Sequence, residues 1–155
     1  MKENTRQILM NAIFEVFEKM FFIFLEPVEN TNNRYDHISS IDFEGRMKGG
    51  LSIKFSRKMA EMMARNMLGC EKDEITDHVL ADCAKEAANM VCGNFLRKMS
   101  RDEIFKLGLP RYALRGRGEQ EDMLPPAGAD HITLSFKAES EEETLQLKFF
   151  GSNYD

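Results

Sequence analysis

The sequence is poor in the residues that build disulfide frameworks and metal centres. It has three cysteines, at Cys70, Cys83 and Cys92, and no C-x-x-C pair, so neither a disulfide framework nor a zinc cluster is indicated. The three histidines lie far apart along the chain, with no metal-ligand spacing among them. We therefore expect no metal ion bound by this chain.

Long apolar runs are also missing. The longest is MFFIFL, at Met20–Leu25, which is far shorter than the roughly 20 residues that cross a bilayer. The amino terminus, MKENTRQ, is polar and lacks the apolar core and small-residue cleavage site of a signal peptide. These features predict a cytoplasmic protein with no membrane partner.

Positive charge is in deficit. There are 26 acidic against 21 basic residues, and a net charge of -5 repels a nucleic acid backbone unless the bases are strongly segregated. One loose basic patch is present, and it is more typical of a solvated loop than of a binding site: Lys106, Arg111, Arg115 and Arg117. We expect no nucleic acid partner. The length and the composition, 43% hydrophobic and 30% charged, predict one soluble globular domain over residues 1–155.

Apolar residues at spacings of three and four predict three helices. The first runs from about residue 4 to 24, and the stretch EPVENTNN ends it. The second, RKMAEMMARNML, lies between a serine suited to cap it and a glycine suited to stop it. The third opens at Thr76 or Asp77 and continues to about Met99.

Alternating apolar and polar residues predict two hairpins. YDHISSIDFEG and GLSIKFS form the first, joined by RMKGG, and Ile38 is out of step, which suggests a bulge around Ser39 and Ser40. Residues 132–138 and 145–149 form the second, with ESEEE as their turn. LPRYALRG is a candidate for one further short strand.

The resulting element order is α-β-β-α-α-(β)-β-β. Strands with one apolar face and helices with one apolar stripe predict an α+β fold in two layers, an antiparallel sheet covered on one face by helices. A long, charged loop runs from Arg111 to Asp130, and we assign it no function. Its stretch 116–130 is rich in turn formers and acids, which is typical of a surface loop.

The third helix contains LADCAKEAANMVCGNF, residues 80–95, which has two contrasting faces. At about 100° per residue, one arc is apolar and mostly small, and we expect it to be buried: Leu80, Ala84, Ala87, Ala88, Val91 and Phe95. A polar strip falls on roughly the opposite side: Asp82, Glu86, Asn89 and Gly93.

An ordinary solvated helix face would also carry polar residues. Two details favour a functional strip instead. Asn and Gly each lower helix propensity by up to about 1 kcal/mol, so a face built only for solubility favours Lys, Glu or Gln. A glycine on an exposed helix face also lets another backbone approach closely, which suits a docking surface.

At these residues the sequence resembles the CheC/CheX-type chemotaxis phosphatases. That family's signature is Asp or Ser, three residues, Glu, two residues, Asn, and then a Gly, which stands here as Asp82, Glu86, Asn89 and Gly93. The element order over nearly the entire chain is similar to the family's as well. A single copy of the motif resembles CheX more than the two-motif CheC, because the first helix has no Glu-x-x-Asn.

The resemblance implies a protein phosphatase that hydrolyses the phosphoaspartate of a CheY-like response-regulator receiver. By that analogy Asn89 holds the attacking water, and Glu86 pairs with the receiver's lysine. Asp82 tunes docking and Gly93 permits close approach. The chain then needs no cofactor of its own, since the receiver brings its divalent ion, Mg²⁺.

The resemblance also implies a homodimer built through the sheets. The sequence adds only the alternating terminal strand TLQLKFF, which is able to pair with a partner's edge. Two rival functions stay open. One is a non-catalytic binding or scaffold module for a receiver or a flagellar-switch component. The other, a small-molecule enzyme, is disfavoured because no His, Ser or Cys has a recognisable catalytic spacing. The sequence leaves undetermined which regulator is the substrate, and whether its pathway is chemotaxis.

Overall fold

The computed structural model describes residues 2–29, 34–115 and 130–153 of the chain. Within these ranges the α-helices are α1 (Lys2–Phe21), α2 (Arg57–Leu68) and α3 (Asp77–Met99), and a short 3₁₀ helix spans Lys72–Glu74. The strands are β1 (Glu26–Val28), β2 (His37–Glu44), β3 (Met47–Phe55), β4 (Lys106–Leu107), β5 (Arg111–Leu114), β6 (Asp130–Lys137) and β7 (Thr144–Asn153). The predicted helices, both hairpins and the candidate short strand, now β5, are confirmed.

Across the described ranges, the strands form one antiparallel sheet in the order β1-β6-β7-β3-β2-β4, and β5 also pairs with β2. β4 and β5 lie along the same edge of β2, where Leu107 pairs with Phe43 and Tyr112 pairs with Ser39. The outermost strands are short: β1 has three residues, β4 two and β5 four. β1 pairs only with residues 135–137 of β6, so no described strand pairs with residues 130–134 on that side.

The core lies on one face of this sheet because strand side chains alternate. Strand pairing places Ile41, Leu51 and Phe149 side by side, and all three are buried. The apolar faces of α1, α2 and α3 join the same core. The predicted α+β architecture, an antiparallel sheet with helices on one face, is therefore confirmed.

The bulge expected around Ser39 and Ser40 is wrong. β2 pairs residue for residue with β3 from residue 37 to residue 43, without an extra residue on either strand. Ile38 is out of step because it lies on the sheet face away from the core, while Ser39 occupies the core face and is fully buried. Because the core position 39 holds a polar serine, the alternation of apolar and polar residues along β2 is not visible in the sequence.

Three further boundaries differ from the sequence prediction. The first hairpin turns at Gly45–Arg46, and most of RMKGG already belongs to β3. β1 forms within EPVENTNN, where only a helix stop is predicted, and β4 also escapes prediction. Strands of two or three residues are too short to show an alternating pattern. Of the long loop, residues 116–129 lie outside the described residues.

β7 is not an edge strand, so the sequence argument for edge pairing through TLQLKFF is wrong. Leu147 lies opposite Ile53 of β3 on one side and opposite Leu134 of β6 on the other. A second copy of the chain therefore cannot add itself to β7. The homodimer stays a prediction.

α1 ends at Phe21, before the apolar run is complete. Phe22 has φ 56°, in the left-handed region, and the Ile23 N–H donates to the Phe17 carbonyl at 3.0 Å, which closes the helix. None of the described helices combines the length and apolar character that a membrane span requires.

A partly buried polar pair joins β2 to β5. His37 is fully buried, and its Nδ1 lies 2.5 Å from the hydroxyl oxygen of Tyr112. Its Nε2 has no hydrogen-bond partner among the described residues. Burial lowers the pKa of His37, because the imidazolium cannot be solvated there, and the positive charge of Arg57 lowers it further. The fold therefore favours the neutral imidazole.

This burial predicts a loss of stability in mild acid. Since the folded pKa of His37 lies below the ordinary value of about 6.5, the unfolded chain binds a proton first as the pH falls. The free energy of unfolding should decline below about pH 6.5, by at most about 1.4 kcal/mol per pH unit. Urea unfolding at pH 7.0, 6.0 and 5.5 measures it. His37→Gln should flatten this dependence, and an unchanged dependence in that variant contradicts the assignment.

Candidate functional site

The polar strip stands on α3, whose ends are well defined. Thr76 caps the helix, since its side-chain oxygen accepts a hydrogen bond from the Val79 N–H at 3.2 Å. Ser100 lies just beyond the last turn, which contains Arg97 and Lys98, and cations there favour the carbonyl end of a helix. A helix fixed at both ends is a rigid support for a functional site.

The rotation of α3 about its axis follows from burial. All six residues of the predicted apolar arc are buried, and three more join them: Cys83, Cys92 and Leu96. The alanines let the helix lie close to the sheet, where it contacts β2 and β3, and α1 and α2 also pack against it. Phe95 meets Phe149 of β7 edge to face, with ring centroids 4.8 Å apart.

The structure places the four motif residues together, on the side of α3 away from that arc. Asp82 is exposed, and Glu86, Asn89 and Gly93 are half-buried. Glu86 and Asn89 are one helical turn apart, a spacing that sets Cβ atoms about 5–6 Å from each other. The expected outward-facing row is therefore present, and its central members are partly sheltered by their neighbours.

Glu86 and Asn89 have no side-chain hydrogen bond or ion pair with any described residue. Nothing within the described ranges ties the carboxylate or the amide to a structural task. A partly sheltered carboxylate and amide are able to contact an incoming partner without first breaking internal bonds. This is the chemistry of a docking surface more than of an enclosed pocket.

Asp82 differs from these two residues because its own helix already engages it. Its carboxylate lies 3.4 Å from Nε2 of His78 and 3.9 Å from Nζ of Lys85. Its side chain is 56% exposed, so these contacts are weak and open to exchange with a partner. Asp82 lies at the end of the strip, one turn before Glu86.

Gly93 is not required by the packing of the described residues. A Cβ atom built there meets only Nη1 of Arg97 within 4 Å, at 3.8 Å, which is an ordinary contact. The backbone is helical, so no left-handed conformation demands glycine either. Gly93 therefore lowers helix stability without any compensating contact in the described part of the chain.

Two residues that do not belong to the motif lie beside the strip, Met90 and Arg97. Met90 is 38% exposed, one turn after Glu86, and Arg97 is exposed one turn after Gly93. The signal was available in the spacing, because a step of four residues from Gly93 leads to Arg97.

Among the described residues, neither a metal centre nor the cavity that they line includes a residue of the strip. No group of three or more His, Cys, Asp or Glu residues in the described ranges is arranged to hold a metal ion. A cavity of about 510 Å³ lies at the start of α1, and no motif residue lines it. Its lining residues are Glu3, Arg6, His131, Ile132 and Thr133. Burial raises the pKa of the Cys83 thiol to about 11 and that of Cys92 to about 12, so neither is an activated nucleophile.

Solved structures share this fold over nearly the whole chain. The chemotaxis protein CheX of Vibrio vulnificus superposes with a TM-score of 0.78 at 21% identity, covering 96% of each chain. CheX of Desulfovibrio desulfuricans gives 0.77 at 21% identity, covering 96% of this chain and 99% of the other. The Borrelia burgdorferi CheX, solved as a complex with CheY, BeF3 and Mg²⁺, gives 0.73 at 15% identity, covering 95% and 97%. These likenesses establish the fold.

A search of curated proteins returns no match. The family model described as "Chemotaxis phosphatase CheX" matches residues 37–137, which is more than half of the chain and includes β2, β3, α2, all of α3 and β6. The matched range thus contains the whole polar strip. On this match, the chain belongs to the CheX family of chemotaxis phosphatases.

Proposed function

We propose that the protein hydrolyses the phosphoaspartate of a CheY-type receiver by inserting Glu86 and Asn89 into the receiver's site. The observation that carries this proposal is the outward-facing carboxylate and amide, one turn apart on a rigid helix, with no partner among the described residues. The CheX family match supports it, and so does the Borrelia CheX that was solved with CheY.

The reaction asks little covalent chemistry of this chain. A water oxygen attacks the phosphorus in line, the bond between phosphorus and the aspartyl oxygen breaks, and phosphate and a free aspartate carboxylate are released. The water loses its proton to phosphate or solvent. Such a transfer depends on positioning and charge stabilisation. The receiver brings its own divalent ion, so this chain has only to orient the water and hold the two proteins in register.

Asn89 is the residue that orients the water. Its amide carbonyl oxygen accepts a hydrogen bond from the water, and its NH₂ group is able to donate a second one. An amide is too weak a base to remove the proton, so its contribution is positional. Its place in the middle of α3, held by the buried arc on the far side, limits the freedom of that oxygen.

Glu86 fixes the docking register. Its carboxylate pairs with the receiver's lysine, and a charge-assisted contact that docking partly desolvates is stronger than an exposed ion pair. Asp82, already in exchangeable contact with His78 and Lys85, tunes docking from the end of the strip. Gly93 permits close approach by the receiver's backbone.

The rival function is a non-catalytic module that binds a receiver or a flagellar-switch component. Both functions use the same strip, so they differ only in turnover. Timing phosphate loss from a CheY-type receiver, with and without the protein, separates them. Stable binding with an unchanged rate of phosphate loss favours the scaffold and overturns the phosphatase proposal.

Asn89→Ala should abolish the added dephosphorylation, with a loss of at least about 100-fold, because the water is no longer oriented. Binding to a beryllofluoride-activated receiver should be nearly unchanged. Phosphate release and equilibrium titration measure the two effects. Asn11→Ala, which removes an exposed amide from α1, is the matched control. Full activity in Asn89→Ala removes the mechanism.

Glu86→Gln should weaken receiver binding by about tenfold, because a neutral amide replaces the charged partner of the lysine. The salt dependence of binding should become shallower at the same time. Glu18→Gln makes the same charge change on an exposed position of α1 and should have no effect on binding. Equal effects of the two variants contradict a specific role for Glu86.

Gly93→Ala should stabilise the protein and impair its function together. Alanine gains about 0.5–1 kcal/mol in a helix interior, and its Cβ atom has room here. Urea unfolding measures the gain, and receiver binding should weaken. Gly69→Ala is the opposing control: Gly69 has φ 65°, so alanine is strained there and should destabilise the fold. Unimpaired binding by Gly93→Ala argues against close approach at this site.

A further inference from the structure

The outward row of α3 continues beyond the motif. Steps of four residues lead from Asn89 to Gly93 and from Gly93 to Arg97, which places all three in one row of the helix. Arg97 is exposed and stands in the last turn. The row is acidic at one end, at Asp82 and Glu86, and basic at the other.

The guanidinium of Arg97 rests over Gly93. Its Nη1 lies 3.8 Å from the position that a Cβ atom of residue 93 would take, and no other described side chain comes within 4 Å of that position. This agrees with the tilt of helical side chains toward the amino terminus, which carries them over the preceding turn. The charge of Arg97 is therefore presented one turn beyond Asn89, next to the notch that glycine leaves.

Two other cations of α3 have a carboxylate within 4 Å, whereas Arg97 has none among the described residues. Nζ of Lys98 lies 2.7 Å from a carboxylate oxygen of Glu15, and Nζ of Lys85 lies 3.9 Å from Asp82. Within the described ranges, Arg97 has neither an ion pair nor a side-chain hydrogen bond. A guanidinium offers five donors in a planar fork, a geometry that matches a carboxylate.

We propose that Arg97 is a docking residue that binds a carboxylate on the surface of the receiver, outside the reacting centre. This inference rests on the proposed function and adds a specificity contact to it. The guanidinium lies over Gly93, four residues or about 6 Å of helix axis beyond Asn89, so we place its contact at the rim, beside the water and not on it. With acids at one end of the row and Arg97 at the other, a receiver of matching charge docks in one direction only.

The test separates docking from turnover. Arg97→Gln should raise KM for a phosphorylated CheY-type receiver by about threefold to tenfold, with kcat unchanged, and Arg97→Glu should raise it further through repulsion. Both variants should reduce the salt dependence of kcat/KM. Arg65 gives a matched control, because it is an exposed last-turn arginine of α2. Arg65→Glu makes the same charge change, with the same loss at a helix end, and should leave KM unchanged.

Equilibrium titration with the beryllofluoride-activated receiver measures binding without turnover. It therefore tests the docking contact of Arg97 independently of the phosphatase proposal. A weaker affinity of Arg97→Gln, measured this way, supports the docking contact even if wild-type protein releases no phosphate. A fall in kcat at constant KM assigns Arg97 to the reacting phosphoryl group and overturns the inference. Equal effects of Arg97→Glu and Arg65→Glu show only a general charge effect and also overturn it.

Discussion

The rotation of α3 about its own axis is the constraint on which the rest of the structure depends. Its buried arc packs against β2, β3, α1 and α2 at once, so no other rotation keeps its apolar side chains out of water. A half turn of the helix about its axis would bury the carboxylate of Glu86 and expose Leu80 and Phe95. Burying a charge that has no partner costs several kcal/mol, whereas an exposed ion pair stabilises a fold by only about 0–1 kcal/mol. The outward direction of the polar strip is thus a consequence of core packing on the opposite side.

A helix held in this way suits a site that lies on the surface. Enzymes that work in a pocket must exclude water from their own interior, and here the groups stand on a convex helix face. The receiver of our proposal supplies the other wall, the ion and the bond to be broken. What this chain contributes is geometry, and geometry is more precise on a packed helix than on a loop. The small alanines of the buried arc serve that precision, because they bring the axis of α3 close to the rigid sheet.

Gly93 and Arg97, on the outward row of α3, both suit a surface that another molecule contacts. Gly93 weakens the helix without filling any packing need among the described residues, and Arg97 keeps a charged fork without a described partner. Natural helices tolerate such local losses where another molecule uses the surface. The pair His37 and Tyr112 is a contrasting case, since its polar groups bond to each other and join β2 to β5.

Local sequence patterns determine much of the secondary structure of this protein. The periods of the helices, the caps at Ser56 and Thr76 and the stop at Gly69 act within one turn, so the sequence alone predicted α2 and α3 closely. The polar strip followed from the same period. Tertiary structure decided what local pattern cannot contain. It paired β7 on both sides, placed Ser39 in the core face and gave β1 and β4 their strand form, because each depends on neighbours distant in sequence. Tertiary structure also decided that Arg97 has no ion-pair partner among the described residues, because the partners of a side chain depend on how the surrounding elements pack.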